Sequence, residues 1–382
     1  MLDVYLITLA LSVGLGFTMV VLLLAASRTV RLAGLFQKGR GVSERPRWGG
    51  AAIFAAFALT PFIASAVSDQ ASELFSPKSG DFLAFLGAGA FIFFIGFLDD
   101  WKVLSWRPKL LAQVAAASAV YSAGYSIDDV GLPWGPEFSL GLFAPVATVI
   151  WVVFFINAIN LVDGRDGVAT GVAIFAAVTL AQVASNAEHP TVALLLVAAA
   201  GAGLGVLPFN LPPASVYLGD SGAYLLGFIL GTLSIRASTG ATDSVFIAVP
   251  LVALAFPILD TGLAVVRRAL DHRHPLIGDD DHIHHRLELA GFGPRGLLLV
   301  IYSVAALFAG GAILLHYVHV FVLEVAVLLG TALLVAGLLT KLGYALSLWN
   351  SASIVWLRRR LRWAEESPAA LLDHHDQDER RV

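Results

Sequence analysis

The chain has 382 residues, of which 58% are hydrophobic and only 14% are charged. A soluble globular domain has about a quarter charged residues, so this composition excludes an ordinary soluble protein and indicates an integral membrane protein. The absence of cysteine excludes disulfide bonds and thiolate metal sites. Nothing in the chain predicts a nucleic-acid partner.

Apolar segments recur along the chain, most of them long enough to cross about 30 Å of hydrocarbon. We predict an all-α, polytopic membrane helix bundle of about eleven transmembrane helices, because lipid cannot satisfy open backbone groups and the alternating strands of a membrane barrel are absent. The segment 145–158 is short, which predicts that its helix begins earlier or tilts less. The predicted spans are 4–26, 50–67, 82–98, 109–125, 145–158, 168–185, 190–207, 222–237, 245–266, 296–315 and 319–340.

The basic residues predict the orientation of these spans. With the N-terminus outside, all Lys and Arg residues except Lys78 and Arg236 fall on the inner side, which places the polar connections and the C-terminus in the cytoplasm. The first span starts with Asp3 and no basic residue, which predicts a retained helix rather than a signal peptide. We predict a polytopic catalytic domain over 1–340 and a cytoplasmic, partly disordered tail over 341–382 with a basic start.

Two neighbouring acids, Asp99 and Asp100, end the third predicted span. A helix C-terminus already carries partial negative charge, so two carboxylates there are unfavourable without a cation. Magnesium prefers carboxylate and phosphate oxygens, and Lys102, Arg107 and Lys109 follow closely enough to bind phosphate. The alternative is simple pairing of acids and bases at the interface, but the depth of the acids favours a functional site.

The segment NAINLVDGRDG ends the fifth span. Asn157, Asn160 and Asp163 recur every three residues and can share one helix face, while two glycines permit a turn that brings Asp166 near them. This mixture suits the base and ribose of a nucleotide, or the edge of a metal site. A helix cap needs one such residue and the segment offers four, which disfavours a purely structural role. Arg165 is predicted to contact phosphate or a lipid headgroup.

A Gly-Asp-Ser-Gly turn at 219–222 precedes the eighth span. A turn that enters a helix exposes backbone N–H groups beside the Asp220 carboxylate, and together these groups suit a phosphate and its metal. The alternative is that Asp220 or Ser221 only caps the helix.

Three histidines lie within four residues of the segment DDDHIHHRLEL at 279–289. In a helix His282 and His285 would share a face, and His284 would point elsewhere. Zinc is an alternative, but the acidic clusters favour a hard cation, so these histidines and Arg286 are predicted to stabilise charge near a diphosphate. Asp260, inside the ninth span, is predicted to be buried and functional.

In this order and on one membrane side, the clusters resemble the polyprenyl-phosphate N-acetylhexosamine-1-phosphate transferase family, from RPRWGG at 45–50 to HIHHRL at 282–287. The resemblance implies transfer of a sugar 1-phosphate from a UDP-sugar to a membrane polyprenyl phosphate, with release of UMP and with Mg²⁺, or Mn²⁺ in its place. It also implies a bacterial inner-membrane enzyme of cell-wall or O-antigen lipopolysaccharide synthesis whose active site faces the cytoplasm. HIHHRL and eleven spans resemble the branch that uses UDP-GlcNAc and undecaprenyl phosphate.

The resemblance also implies a role for each matching residue. Asp220, Asp99 and Asp100 would bind the metal, and Asp99 would act either as a base toward the lipid phosphate or as an organiser of the metal. The implied catalytic residues are Asp99, Asp100, Asp163, Asp166, His282, His284 and His285. The implied substrate-binding residues are Arg47, Gly49, Gly50, Lys109, Asn157, Asn160 and Arg286.

Two positions depart from the family pattern: Glu44 stands where a proline is usual, and Ala223 where a serine usually follows Gly-Asp-x-Gly. The donor sugar therefore stays open, with UDP-GalNAc and UDP-MurNAc-pentapeptide as alternatives to UDP-GlcNAc. A membrane transporter is the alternative from a different class, but transporters usually place charges near the midplane rather than at one interface. The oligomeric state also stays open.

Overall fold

The computed structural model describes residues 1–30, 45–75, 80–131, 137–239, 245–270, 282–317 and 321–343. Within them the chain forms α-helices and three short β-strands. The helices are α1 (Leu2–Val30), α2 (Gly49–Val67), α3 (Asp69–Leu74), α4 (Gly80–Lys102), α5 (Trp106–Ser122), α6 (Ala144–Val162), α7 (Val168–Asn186), α8 (Pro190–Asn210), α9 (Gly219–Ala237), α10 (Ala248–Ala253), α11 (Ala255–Leu270), α12 (Ile283–Leu289), α13 (Pro294–Tyr317) and α14 (Phe321–Lys341). The strands are β1 (Asp129–Gly131), β2 (Glu137–Ser139) and β3 (Val245–Phe246).

Helix α9 is the centre of the bundle. All of its residues except Arg236 are buried, and it packs against α2, α4, α6, α7 and α8. A helix surrounded in this way needs an apolar or small residue at nearly every position. Glycine allows the closest approaches, since a Cβ on Gly227 would meet the Phe155 carbonyl oxygen of α6 at 2.5 Å.

Within the described residues, eight helices are long and apolar enough to span a membrane: α1, α2, α4, α6, α7, α8, α13 and α14. The prediction of an all-α multi-pass membrane protein is therefore confirmed. The other three predicted spans, 109–125, 222–237 and 245–266, coincide with α5, α9 and the pair α10–α11. Three points stay predictions: the total of eleven spans, the orientation of the bundle in the membrane and the domain boundary at residue 340. The tail beyond residue 343 lies outside the described residues.

Two predicted spans differ in detail from the structure. A 3-10 turn at Gly141–Phe143 leads into α6, which begins earlier than predicted and also continues to Val162. The span 245–266 is not one helix, because β3 occupies its start and Leu254 separates α10 from α11. Pro257 has no amide hydrogen to donate to Ala253, which explains the interruption.

A small sheet joins the connections at one end of the bundle. Strand β1 lies between β2, which is antiparallel to it, and β3, which is parallel to it. Asp129 pairs with Ser139, and Val130 pairs with Val245. Helix α5 leads the chain from the end that carries Asp99 to this sheet, so the sheet lies at the opposite end of the bundle. Strands of two or three residues were not predicted.

Candidate active site

The start of α2 is bonded directly to the turn that precedes α9. The backbone N–H groups of Gly49 and Gly50 donate to the carbonyl oxygens of Tyr217 and Leu218, at 3.0 and 2.9 Å. A Cβ on Gly50 would collide with the backbone at Gly222. Both amides are thus engaged within the protein, and we interpret the predicted substrate contacts at 49 and 50 as packing contacts that place α9.

Asp100 caps α9. Its carboxylate accepts hydrogen bonds from the backbone N–H groups of Asp220 at 2.9 Å and Ser221 at 3.0 Å, and Arg47 lies 3.4 Å from its Oδ1. Gly219 has φ +76°, and a Cβ there would lie 2.6 Å from Asp100 Oδ2, so the turn requires glycine. A carboxylate at a helix N-terminus is electrostatically favourable. Asp100 therefore fixes the position of Asp220.

Asp99 is completely buried beneath the turn that joins α4 to α5. Its Oδ1 accepts the backbone N–H of Leu104 at 2.7 Å, and its Oδ2 pairs with Lys109 Nζ at 2.6 Å. The Tyr224 hydroxyl of α9 donates to the same Oδ2 at 3.4 Å. The side chains of Asp99 and Asp220 also interact with each other. Two neighbouring carboxylates repel unless a proton or a cation lies between them.

The two asparagines of α6 have different neighbours. Asn160 Nδ2 donates to Asp220 Oδ1 at 2.8 Å, which orients that carboxylate. Asn157 instead forms a reciprocal amide pair with Gln113 of α5, with its Nδ2 2.7 Å from Gln113 Oε1. The predicted common site for the two asparagines is therefore present only at Asn160, while Asn157 ties α6 to α5.

Asp163 and Asp166 lie in the turn after α6. Burial and the neighbouring carboxylates of Asp220 and Asp100 raise the pKa of Asp163 well above its ordinary value. Asp166 Oδ2 accepts the backbone N–H of Ala214 at 2.9 Å, which joins this turn to the segment before α9. Asp163 is therefore close enough to Asp220 and Asp100 for their charges to act on it.

The histidine segment is anchored by Asp260 of α11. Asp260 is buried and accepts hydrogen bonds from the backbone N–H of Ile283 at 2.7 Å and from His282 Nδ1 at 2.8 Å. His282 precedes α12 in an extended conformation, so the prediction that it shares a helical face with His285 is wrong. His284 is buried and packs so closely on Gly164 that a Cβ there would collide with its ring. Asp260 is thus buried, as predicted, and positions this segment.

The remaining polar residues of α12 point to other partners. Arg165 forms a two-pronged ion pair with Glu288, at 2.5 and 2.6 Å, and lowers the pKa of that carboxyl. His285 Nδ1 lies 3.8 Å from Glu288 Oε2. Arg286 Nη1 donates to the Leu342 carbonyl oxygen at 3.0 Å. These contacts join α12 to the Asp163–Asp166 turn and to the end of α14. The ion pair with Glu288 accounts for the position of Arg165. Its predicted contact with phosphate or a lipid headgroup stays a prediction.

A polar cavity of about 380 Å³ opens between these elements. A second cavity of about 590 Å³ adjoins it and shares Arg165 and Asp166 in its wall. The polar cavity is lined by Arg47, Asp163, Gly164, Arg165, Asp166, Asn210, Tyr217, Leu218, Gly219 and Asp220.

The acidic residues suit a divalent cation that is also bound by substrate. No set of three His, Asp or Glu side chains within the described ranges is arranged to hold a metal ion by itself. Magnesium, however, is usually bound by one or two carboxylates together with waters and substrate phosphates. Asp220, with Asp99 and Asp163 close enough to interact with it, provides that incomplete set.

The buried His284 makes stability depend on pH. Burial, more than the effects of its charged neighbours, lowers the pKa of His284 from 6.5 to about 4. Between these values the unfolded chain binds a proton that the folded chain does not, so the free energy of unfolding decreases as the pH falls, by on the order of 3 kcal/mol. The His284→Gln variant is expected to show a flatter dependence of Tm between pH 6.5 and 4.5. A slope equal to that of the wild type would contradict this assignment.

Three residues of the site were not identified from the sequence. Tyr224 lies one turn after Asp220 on α9, and this spacing could have identified it as a neighbour of the site. Asn210 accepts from Thr170 Oγ1 at 2.8 Å and donates to the Val216 carbonyl oxygen at 3.1 Å, which holds the segment before α9. Nothing in the sequence marked Glu288 as a site residue except its position close to the three histidines. The acids at 279–281 lie outside the described residues.

Comparison with known proteins decides the family. The model of glycosyl transferase family 4 matches residues 82–238. The chain is 34% identical to the "Probable undecaprenyl-phosphate N-acetylglucosaminyl 1-phosphate transferase" of Bacillus subtilis, over 71% of this chain and 73% of that protein. The chain belongs to the polyprenyl-phosphate hexosamine-1-phosphate transferase family.

Two further members of this family show its range. The chain is 34% identical to the "Decaprenyl-phosphate N-acetylglucosaminephosphotransferase" of Mycolicibacterium smegmatis, over 71% of this chain and 72% of that protein. It is 28% identical to the "Phospho-N-acetylmuramoyl-pentapeptide-transferase" of Staphylococcus epidermidis, over 68% of this chain and 81% of that protein. The matched range 82–238 contains Asp99, Asp163 and Asp220 but ends before the histidine segment. The resemblance read from the motifs is thus confirmed at the level of the transferase family.

Proposed function

We propose that this family member transfers N-acetylglucosamine 1-phosphate from UDP-GlcNAc to undecaprenyl phosphate, which releases UMP and forms the first lipid-linked intermediate of a cell-envelope polysaccharide. One observation supports it most: Asp163 and Asp220 line the polar cavity together with Arg47, and the buried Asp99, which pairs with Lys109, interacts with Asp220. The names of the Bacillus and Mycolicibacterium relatives support a GlcNAc 1-phosphate group.

The proposed cofactor is Mg²⁺, with Mn²⁺ as a substitute, held by Asp220 and Asp99. When bound, the ion would offset the negative charge of the diphosphate and of the incoming phosphate. Asp163 offers a further carboxyl oxygen at its edge, and Asn160 orients the Asp220 carboxylate. Asp100 contributes indirectly, because its oxygens hold the first amides of α9.

In the proposed reaction an oxygen of the lipid phosphate attacks the β-phosphorus of UDP-GlcNAc, and the bond from that phosphorus to the oxygen of UMP breaks. A phosphate monoester has a second pKa near 6, so the acceptor is already mostly dianionic at neutral pH. Positioning and charge balance then matter more than a strong base. Asp99 already pairs with Lys109, so we assign Asp99 to orienting that cation and the metal.

The remaining predicted residues complete the proposed substrate site. Arg47 lies in the cavity wall, where its charge suits a phosphate group. His284 is neutral near pH 7 and packs on the turn that carries Asp163. His282 and Asp260 fix this arrangement, and His285 with Arg286 extends it toward the surface. Asp166, in the wall shared by both cavities, suits the nucleoside.

We place the site on the cytoplasmic face of the bacterial inner membrane. The distribution of Lys and Arg supports this orientation, and the convergence of predicted inner connections at one end of the bundle agrees with it. Labelling of single cysteines introduced at the exposed residues Ser215 and Ala290 should place both on the inner side.

Two other donor sugars are alternatives to UDP-GlcNAc. The Staphylococcus relative is named for a MurNAc-pentapeptide donor, and UDP-GalNAc is the other alternative. A panel of radiolabelled UDP-sugars in the same membranes separates these, with UDP-GlcNAc expected to give the highest kcat/KM.

Release of UMP tests the reaction class. Purified protein in nanodiscs is expected to release UMP from UDP-GlcNAc only when undecaprenyl phosphate and a divalent cation are both present. Chelation by EDTA should abolish release, and added Mg²⁺ or Mn²⁺ should restore it. Release that continues without the lipid phosphate, or transport of a solute without UMP formation, would contradict the proposal.

A further inference from the structure

The turn between α4 and α5 carries two pairs of a cation and an indole on the protein surface. Lys102 Nζ lies 4.8 Å from the centre of the Trp101 ring, and Arg107 Cζ lies 5.3 Å from that of Trp106. The two indoles are 40% and 46% exposed. The segment 101–111 contains no acidic residue, so this surface is cationic.

An apolar stripe on α4 leads to this turn. Phe91, Phe94, Leu98 and Trp101 are exposed, and their spacing of three and four residues places them on one face of the helix. Lysine, arginine and tryptophan at the end of such a stripe mark the boundary between hydrocarbon and headgroups. The cations of the turn therefore lie at the depth of the lipid phosphates.

The turn is strained and is bonded directly to Asp99. Val103 has φ +48°, a left-handed conformation that is unfavourable for a β-branched residue. The backbone N–H of Val103 donates to the Asp99 carbonyl oxygen at 3.0 Å, and that of Leu104 to Asp99 Oδ1 at 2.7 Å. Lys109, two residues after Arg107, pairs with the same carboxylate. A ligand that stabilises the turn therefore also stabilises the position of Asp99.

We propose that this turn binds the headgroups of acidic membrane phospholipids through Lys102 and Arg107, and that the bound headgroup holds Asp99 in its working position. Cations near an anionic membrane surface are attracted to its lipids, and the flanking indoles fit the same interface. A surface ligand with higher affinity for one conformation of a strained turn shifts the population toward it. The effect on turnover rests on the proposed transferase function, whereas lipid binding does not.

Two measurements test the proposal separately. Native mass spectrometry of the detergent-solubilised chain measures retained phosphatidylglycerol, and UMP release is measured in nanodiscs of phosphatidylcholine with or without phosphatidylglycerol. The Lys102→Gln/Arg107→Gln variant is expected to bind phosphatidylglycerol about 30-fold more weakly than the wild type, from the contribution of two cations. It should lose the stimulation of UMP release by phosphatidylglycerol that the wild type shows. The control Lys341→Gln removes an exposed cation at the end of α14 and should retain both properties.

Each other outcome overturns the proposal. Unchanged lipid binding by the double variant would show that Lys102 and Arg107 do not form the binding site. An equal loss of lipid binding in the Lys341→Gln control would show general charge attraction instead of a specific site. Binding without stimulation in the wild type would reduce the turn to a membrane anchor. A raised KM for undecaprenyl phosphate in pure phosphatidylcholine would assign the surface to the acceptor's phosphate instead. Lipid binding is measured by mass spectrometry and does not require turnover. Failure of the proposed transfer reaction can therefore be distinguished from failure of this lipid-binding site.

Discussion

Alanine at Gly96 is expected to destabilise the bundle and to abolish transfer. A Cβ at this position would lie 2.6 Å from both the Asp220 carbonyl oxygen and the Ser221 Cα of α9. These are backbone atoms of the central helix, which has no room to move. Overpacking of a well-packed interior costs about 1–3 kcal/mol, and contact with backbone on this scale places the expected cost at the upper end or above. Thermal unfolding of the purified protein in detergent measures the loss.

Gly87 provides the control on the same helix. It lies nine residues before Gly96 on α4, and a Cβ there would meet nothing within 4 Å. Because alanine favours a helix over glycine by about 1 kcal/mol, the Gly87→Ala variant should be as stable as the wild type or more so. Equal stability of the two alanine variants would show that α4 and α9 do not approach as closely as the structure indicates.

The Asp220→Asn variant is expected to keep its fold and to lose transfer by about 10³-fold, the scale on which a single electrostatic contribution to phosphoryl transfer acts. Asparagine has the same shape and keeps an oxygen for the hydrogen bond from Asn160, so the fold should tolerate it. It removes the charge on which the proposed cation binding depends. Formation of radiolabelled lipid product measures the activity, and thermal unfolding confirms the fold.

The same change at Asp81 is the matched control. Asp81 is exposed in the first turn of α4, at the end of the bundle remote from the site. The Asp81→Asn variant should transfer at the wild-type rate. Full activity in the Asp220→Asn variant would remove Asp220 from the catalytic centre, and loss of its fold would assign it a structural role.

Much of the site followed from local patterns in the sequence. Carboxylates at the ends of apolar spans are costly, and the alternation of spans placed Asp99, Asp163 and Asp220 on one side. The structure places Asp163 and Asp220 in the wall of one cavity and the buried Asp99 next to Asp220. The buried position of Asp260 followed from the same reasoning, since it stands alone inside an apolar segment.

The partners of these residues did not follow, because they depend on helix packing between distant parts of the chain. Asp100 resembles Asp99 in sequence, yet it caps a helix that begins 119 residues later. Asn157 and Asn160 have the same side chain on adjacent turns, and the packing of α5 and α9 alone decides which one meets Asp220. His282 was placed on a helix that in fact begins one residue after it.

In the proposed site, acids from α4, the end of α6 and α9 share one divalent cation with the donor diphosphate. Electron paramagnetic resonance of free Mn²⁺, titrated into purified protein saturated with UDP-GlcNAc, measures this most directly. We expect one tightly bound Mn²⁺ per chain in the wild type and in Asp81→Asn, and none in Asp220→Asn. Tight Mn²⁺ binding that survives in Asp220→Asn would contradict a cation site that includes Asp220.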